Sequence, residues 1–202
     1  PYSPKYFTGN PGANCLEWNM FWDYGVGQIG DMGSHMMDLL WNGVDATLPT
    51  SIRAEGEAYN QDVTPVRMES HFDHPANDWR GPIKVSWYQG GALPRCPLPS
   101  LDLDKIGHGV MFKGSQGFLV ADYNMRLLLP YGKDSDLSYF HPRKKEDQLP
   151  PVGHFQQQWL DACRDPSLNT GCNFEYSGNA IEQMLLGHVA YRAGEKIDYD
   201  GA

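Results

Sequence analysis

Cysteine is sparse. The four in this chain, Cys15, Cys96, Cys163 and Cys172, form no CxxC pair. In 202 residues that pattern is neither a disulfide framework nor a cysteine-based zinc site, and it reads as buried free thiols. Basic residues are also few, with 16 Lys and Arg against 25 Asp and Glu, giving a net charge of −9 and a pI near 5.1. An acidic balance argues against nucleic acid or an anionic membrane surface as partner. No apolar run approaches the roughly 18 residues that a membrane-spanning helix needs. The sequence has no GxSxG nucleophile elbow, no internal repeat and no low-complexity tract. Pro1 stands where an initiator Met would, with no basic n-region or apolar h-region after it, so no signal peptide is visible and the start reads as a cut end.

What is present fits one globular domain over residues 1–202, with 41% hydrophobic and 12% aromatic residues. Its most informative stretch is Gly25 to Trp41, GVGQIGDMGSHMMDLLW. On a helix, Asp31, His35, Asp38 and Asn42 fall in a stripe roughly 60° wide. Met32, Met36, Met37, Leu39, Leu40 and Trp41 cover the remaining surface. So apolar a helix is expected to be buried, with two carboxylates and an imidazole on one narrow face. Those groups either satisfy each other or line a cleft.

Residues 1–17 read as an irregular entry segment rich in Pro, Gly, Asn and Tyr, and Trp18–Tyr24 as an aromatic cluster that is packed core or a pocket wall. The central helix is expected over 31–42, stopping at Gly43. Alternating apolar and polar residues then predict strands over 51–58, 66–72 and 83–88, followed by a hairpin over 109–122 about a Gly114–Gly117 turn and a strand over 125–129. Short polar links between one-sided strands predict an open, mainly antiparallel sheet with helices on one face, an α+β class. A long polar loop spans 130–151. A helix over 152–165 carries Phe155, Trp159, Ala162 and Cys163 on one face. Ser177 is expected to cap a last helix over 178–193 that Gly194 ends, with Ile181, Met184, Leu185, Leu186 and Val189 buried. Residues 196–200 add a closing strand.

Gly25, Gly27 and Gly30 spell GxGxxG, but no buried parallel strand precedes them and Asp31 adds negative charge where a pyrophosphate would sit. The loop is not expected to hold a dinucleotide. Asp31 and His35, one turn apart, suit joint action on one substrate hydroxyl, the imidazole taking its proton and the carboxylate holding substrate or ring. Asp38 could instead orient the imidazole. A self-satisfied Asp–His pair at a helix start has the same spacing, and the sequence leaves both open. A metal at this helix needs a third ligand, for which only the His71-Phe72-Asp73-His74 run offers donors, and nothing links the two segments.

These residues carry a resemblance. FWDYGVGQIGDMGSHMMDL resembles the active-site helix of the glucose–fructose oxidoreductase/inositol dehydrogenase (Gfo/Idh/MocA) family, where a Gly-rich loop precedes Asp-x-x-x-His and a further Asp three residues on. PPVGHFQQQWLDACRD and NFEYSGNAIEQMLLGHVAYRAGEKIDYD resemble that family's later helices and closing strand, especially in bacterial members acting on sugars. The resemblance implies the substrate-binding and oligomerising C-terminal domain of an NAD(P)-dependent oxidoreductase. Asp31 and His35 match the catalytic pair, and Trp18, Trp22, Tyr24 and Asp38 would face a sugar or polyol. The family's nucleotide-binding Rossmann domain and its Glu-Lys-Pro lysine are not in this chain, so NAD or NADP would be held by that domain in the full-length protein. The free sheet face would build a homo-oligomer, in a bacterial cytoplasm or periplasm. Two further functions fit the same blocks: an NAD-dependent glycosidase working by transient oxidation, and a non-catalytic carbohydrate-binding or assembly module.

Overall fold

The computed structural model describes residues 15–132, 138 and 141–201. The expected entry segment lies outside the described residues up to position 14, as do positions 133–137 and 139–140 of the long loop. A 3₁₀-helix, Cys15–Met20, leads through a loop into α1 (Gly27–Asp31) and α2 (Gly33–Gly43). The single helix expected here is therefore two, divided at Met32. Its backbone stays in the right-handed helical region (φ −84°, ψ −15°), so the helical direction carries through.

β1 (Ser51–Gly56), β2 (Met68–His74) and β3 (Ile83–Gln89) follow, and with β7 (Ile197–Asp198) they form an antiparallel sheet in the order β3-β2-β1-β7. β4 (Val110–Lys113), β5 (Gly117–Ala121) and β6 (Arg126–Pro130) make a second antiparallel sheet in that order. The fold is α+β with antiparallel strands and packed helices, as expected, but the strands divide into two sheets rather than one. The break begins at Gly90 and Gly91, both with positive φ, which turn the chain away from β3. A side chain at Gly90 would put its Cβ 2.1 Å from the Val66 carbonyl oxygen, so only glycine fits that exit.

Alternation along β2 sets the layering. Met68, Ser70, Phe72 and His74 are buried beneath the helices, whereas Glu69, His71 and Asp73 lie on the opposite, open face. The HFDH run is thereby split between two sides of one sheet and cannot supply adjacent ligands to α2. Ile29, Met36 and Met37 from α1 and α2 join Ile52, Phe72, Val85 and Trp87 of the sheet in one core.

After the short α3 (Leu103–Ile106), α4 (Phe155–Arg164) and α5 (Phe174–Ala193) complete the α-helices among the described residues. α5 starts four residues before the expected position, because the Asn173 side chain accepts from the Tyr176 N–H at 3.0 Å and caps it, in place of Ser177. It ends at Gly194 in the left-handed conformation, as expected. Its buried face also differs. Met184 and Leu186 are buried, but Ile181, Leu185 and Val189 are exposed. Ala180, Gly187 and Ala190 face the sheet instead, and a Cβ at Gly187 would come within 2.8 Å of Ser70 Oγ. Small residues let the helix lie close on β1 and β2, and closeness outweighs the bulk of the other stripe. In α4 no residue is buried, so the expected apolar face of Phe155, Trp159, Ala162 and Cys163 is not covered; Cys163 and Cys172 are exposed rather than the buried thiols expected.

Two buried histidines make the fold pH-sensitive. His74 Nδ1 donates to the Thr47 carbonyl at 2.8 Å and His188 Nε2 to that of Val26 at 2.6 Å, while the second nitrogen of each ring has no hydrogen-bond partner among the described residues. Burial holds both imidazoles below the usual histidine range, with Arg80 and Arg192 adding to the effect. Well above pH 6.5 both are neutral whether folded or unfolded. Below it the unfolded chain takes up protons that the folded chain resists, so stability falls. Urea melts between pH 7.5 and 5.5 should show a midpoint that drops with pH, and a flat profile would contradict this.

Candidate active site

The polar stripe of α1 and α2 faces outward. Asp31, His35, Asp38 and Asn42 are exposed, while Met36, Met37 and Trp41 are buried on the opposite side. The helix is thus one-sided rather than buried around its circumference, and the stripe lines an open surface. Asp31, the last residue of α1, accepts from Asn19 Nδ2 at 3.0 Å. That bond steers one carboxylate oxygen and leaves the other without a hydrogen bond among the described residues.

His35 lies in the first turn of α2. Neither of its ring nitrogens hydrogen-bonds another described residue, so both are open to a substrate. Its ring meets Tyr123 edge to face, with centroids 6.5 Å apart and planes at 88°. Tyr123 sits at the tip of the β5–β6 turn, where Asp122 Oδ1 accepts the backbone N–H groups of Asn124 and Met125 at 2.7 and 2.6 Å. That clamp fixes the tyrosine over the helix, and His108 packs on it at 6.2 Å.

Asp38 does not hydrogen-bond His35. Its Oδ1 accepts from the Tyr176 hydroxyl at 2.5 Å, a charge-assisted bond from the first turn of α5. Burial and this bond push the Tyr176 hydroxyl far above the usual tyrosine range; burial and the same carboxylate raise Tyr123. Both phenols therefore stay protonated near the stripe, Tyr176 with its single hydroxyl hydrogen committed to Asp38 and Tyr123 with its own available to donate. Tyr123, Tyr176 and His108 had no local signal in the sequence, since each reaches α2 from a distant segment.

Of the aromatic trio, Trp22 makes its contacts with other groups. Trp22 donates from Nε1 to the Asn60 carbonyl at 2.9 Å, meets His188 edge to face at 5.0 Å, and lies under the Arg192 guanidinium at 5.4 Å. His188 is about 18 Å along α5 from Tyr176, so Trp22 belongs to the far end of that helix. Tyr24 packs edge-on against Phe21 at 6.2 Å. Trp18 is partly exposed and precedes Asn19, the residue that holds Asp31.

The glycines of Gly25–Gly30 are accounted for by packing. A Cβ at Gly25 would lie 2.5 Å from the Asn19 carbonyl oxygen, and one at Gly27, where φ is +66°, 2.3 Å from Thr64 Oγ1. A 3₁₀-helix and an isolated bridge, Phe21 to Val63, precede the loop in place of a buried strand. The residues around it do not fit a dinucleotide pyrophosphate.

Beyond Asp38, the stripe opens into a cavity of about 590 Å³ between the end of α2, the 44–50 loop and the start of α5. Asn42, Asp45, Asn173, Tyr176 and Asn179 line it, a wall dense in hydrogen-bonding groups. A second cavity of about 410 Å³, between α2 and the two sheets, is lined by Met32, Met36, Trp87 and Val120 together with Gln28, Lys84 and His108.

No family model matches this sequence, and no curated protein matches it. Solved structures do resemble the fold. An NAD-binding protein from Listeria innocua superposes with a TM-score of 0.55 at 14% identity, covering 92% of this chain and 51% of its own. An oxidoreductase from Agrobacterium radiobacter, in complex with NAD⁺, L-tartaric acid and magnesium, gives a TM-score of 0.44 at 14% identity, covering 84% of this chain and 48% of its own. The chain spans about half the length of each.

Proposed function

We propose that this chain is the substrate-binding, catalytic-residue-bearing domain of an NAD(P)-dependent oxidoreductase acting on a CH–OH group of a sugar, polyol or glycoside. The carrying observation is His35, exposed on α2 one turn from Asp31, with both ring nitrogens unengaged among the described residues. An imidazole so held can take the hydroxyl proton while the carbinol carbon loses hydride, and the second oxygen of Asp31 can hold that hydroxyl in line. A nicotinamide supplies the hydride acceptor; Gly25–Gly30 does not fit it, so its binding falls to a separate nucleotide-binding domain of the same protein. The amide- and carboxylate-lined cavity beside Tyr176 suits a polyhydroxylated ligand.

The test has two parts. Calorimetric titration of this chain with NAD⁺ and NADH should give no binding, and micromolar binding would overturn the assignment of the cofactor to another domain. In the protein that joins this chain to its nucleotide-binding domain, a panel of sugars and polyols should produce reduced cofactor at 340 nm. Cleavage of glycosides without net reduction would transfer the same residues to the glycosidase chemistry, and inactivity on both panels would remove the enzymatic reading.

A further inference from the structure

The open face of the β3-β2-β1-β7 sheet, on the side of β2 away from α1, α2 and α5, carries a second constellation of side chains. Glu55 on β1 stands directly opposite Glu69 on β2, and His71 follows Glu69 by two residues on the same face. One donor atom from each of the three lies within 4.8 Å of the others. We propose that Glu55, Glu69 and His71 bind a divalent transition-metal ion of the zinc type.

Register alone brings the three together, so the site is built into the strand pairing. Two carboxylates placed directly across an antiparallel pair repel each other. Arg67 relieves part of this through Glu69 Oε1 at 3.1 Å, which leaves the other Glu69 oxygen; Glu55 has no ion pair among the described residues. A cation between the two carboxylates removes the repulsion directly.

His71 is prepared as a ligand. Its Nδ1 lies 2.8 Å from Ser86 Oγ on β3, which fixes the ring and leaves Nε2 without a hydrogen bond among the described residues. An outer contact on one nitrogen that orients the other is the usual arrangement behind a metal-bound histidine. One nitrogen with two oxygens suits a borderline ion better than calcium or magnesium, which take oxygen. Three protein ligands leave at least one position for water, and Arg53, Arg67 and Lys84 on the same face weaken the site relative to a closed four-ligand one.

The experiment is calorimetric titration of the chelator-stripped chain with zinc chloride at pH 7.5, with imidazole nitrogen shifts followed by NMR. One ion per chain is expected, with the His71 Nε2 resonance moving on addition. His71→Ala should weaken binding by at least about tenfold. Glu55→Gln and Glu69→Gln, which preserve side-chain shape, should each weaken it as well, and they keep the test available if His71→Ala does not fold. His154→Ala, on the exposed approach to α4, should leave binding unchanged. Absence of binding, or binding that survives both His71→Ala and Glu69→Gln, overturns the proposal.

Discussion

Replacing His35 with alanine is expected to lower turnover of the sugar or polyol by about 10²- to 10⁴-fold, the range in which a positioned proton acceptor contributes. Folding should barely register the change. His35 is exposed, its ring nitrogens bond no other described residue, and its one ring contact, with Tyr123, is of a kind worth about 0.5–1.5 kcal/mol. Because the imidazole acts as the hydroxyl proton leaves, kcat and kcat/KM should fall together while KM stays close to its starting value. Steady-state kinetics and a urea melt on the same preparation separate the outcomes. Unchanged turnover would take His35 out of the mechanism. A collapsed melt with proportionate loss of activity would make it a structural residue.

The stripe that carries this prediction was readable because its signal is local. Helical spacing puts Asp31, His35 and Asp38 on one side whatever surrounds the helix, and the split at Met32 leaves the direction intact. The strands were readable for the same reason: alternation in β2 and β3 fixes which residues are buried, and Met68, Phe72, Val85 and Trp87 are the ones expected. What was not legible depends on partners far away in sequence. Tyr176 reaches Asp38 across 138 positions, and no pattern near either residue announces the bond. In α5 the bulky stripe looked like the buried one, yet Ala180, Gly187 and Ala190 win because their lack of bulk allows the helix close to Ser70 and Phe72. In α4 the periodicity was real, but amphipathicity says only that a helix has an apolar side. It does not say that this domain covers it.

That distinction between an apolar pattern and actual burial has its sharpest test in two phenylalanines. Phe72 is 0% exposed at the centre of β2, paired in register with Ile52 on one side and Val85 on the other and roofed by α5 at Gly187. Truncating it to alanine removes a ring from a site whose neighbours are held by two strands and a helix, so the space can collapse only partly. The expected loss is about 3–5 kcal/mol, a fall of roughly 10 °C in melting temperature for a chain of this size. Phe155 heads the apolar side of α4 and is 75% exposed, and the same truncation there should move stability by no more than about 0.5 kcal/mol. Identical chemistry is deleted in both, so sequence hydrophobicity predicts equal losses and burial predicts unequal ones. Denaturant melts of the two variants decide between them. Comparable losses would mean that α4 packs its apolar side against the domain after all; a negligible loss at Phe72 would mean that the helix layer does not seat on the sheet through Gly187.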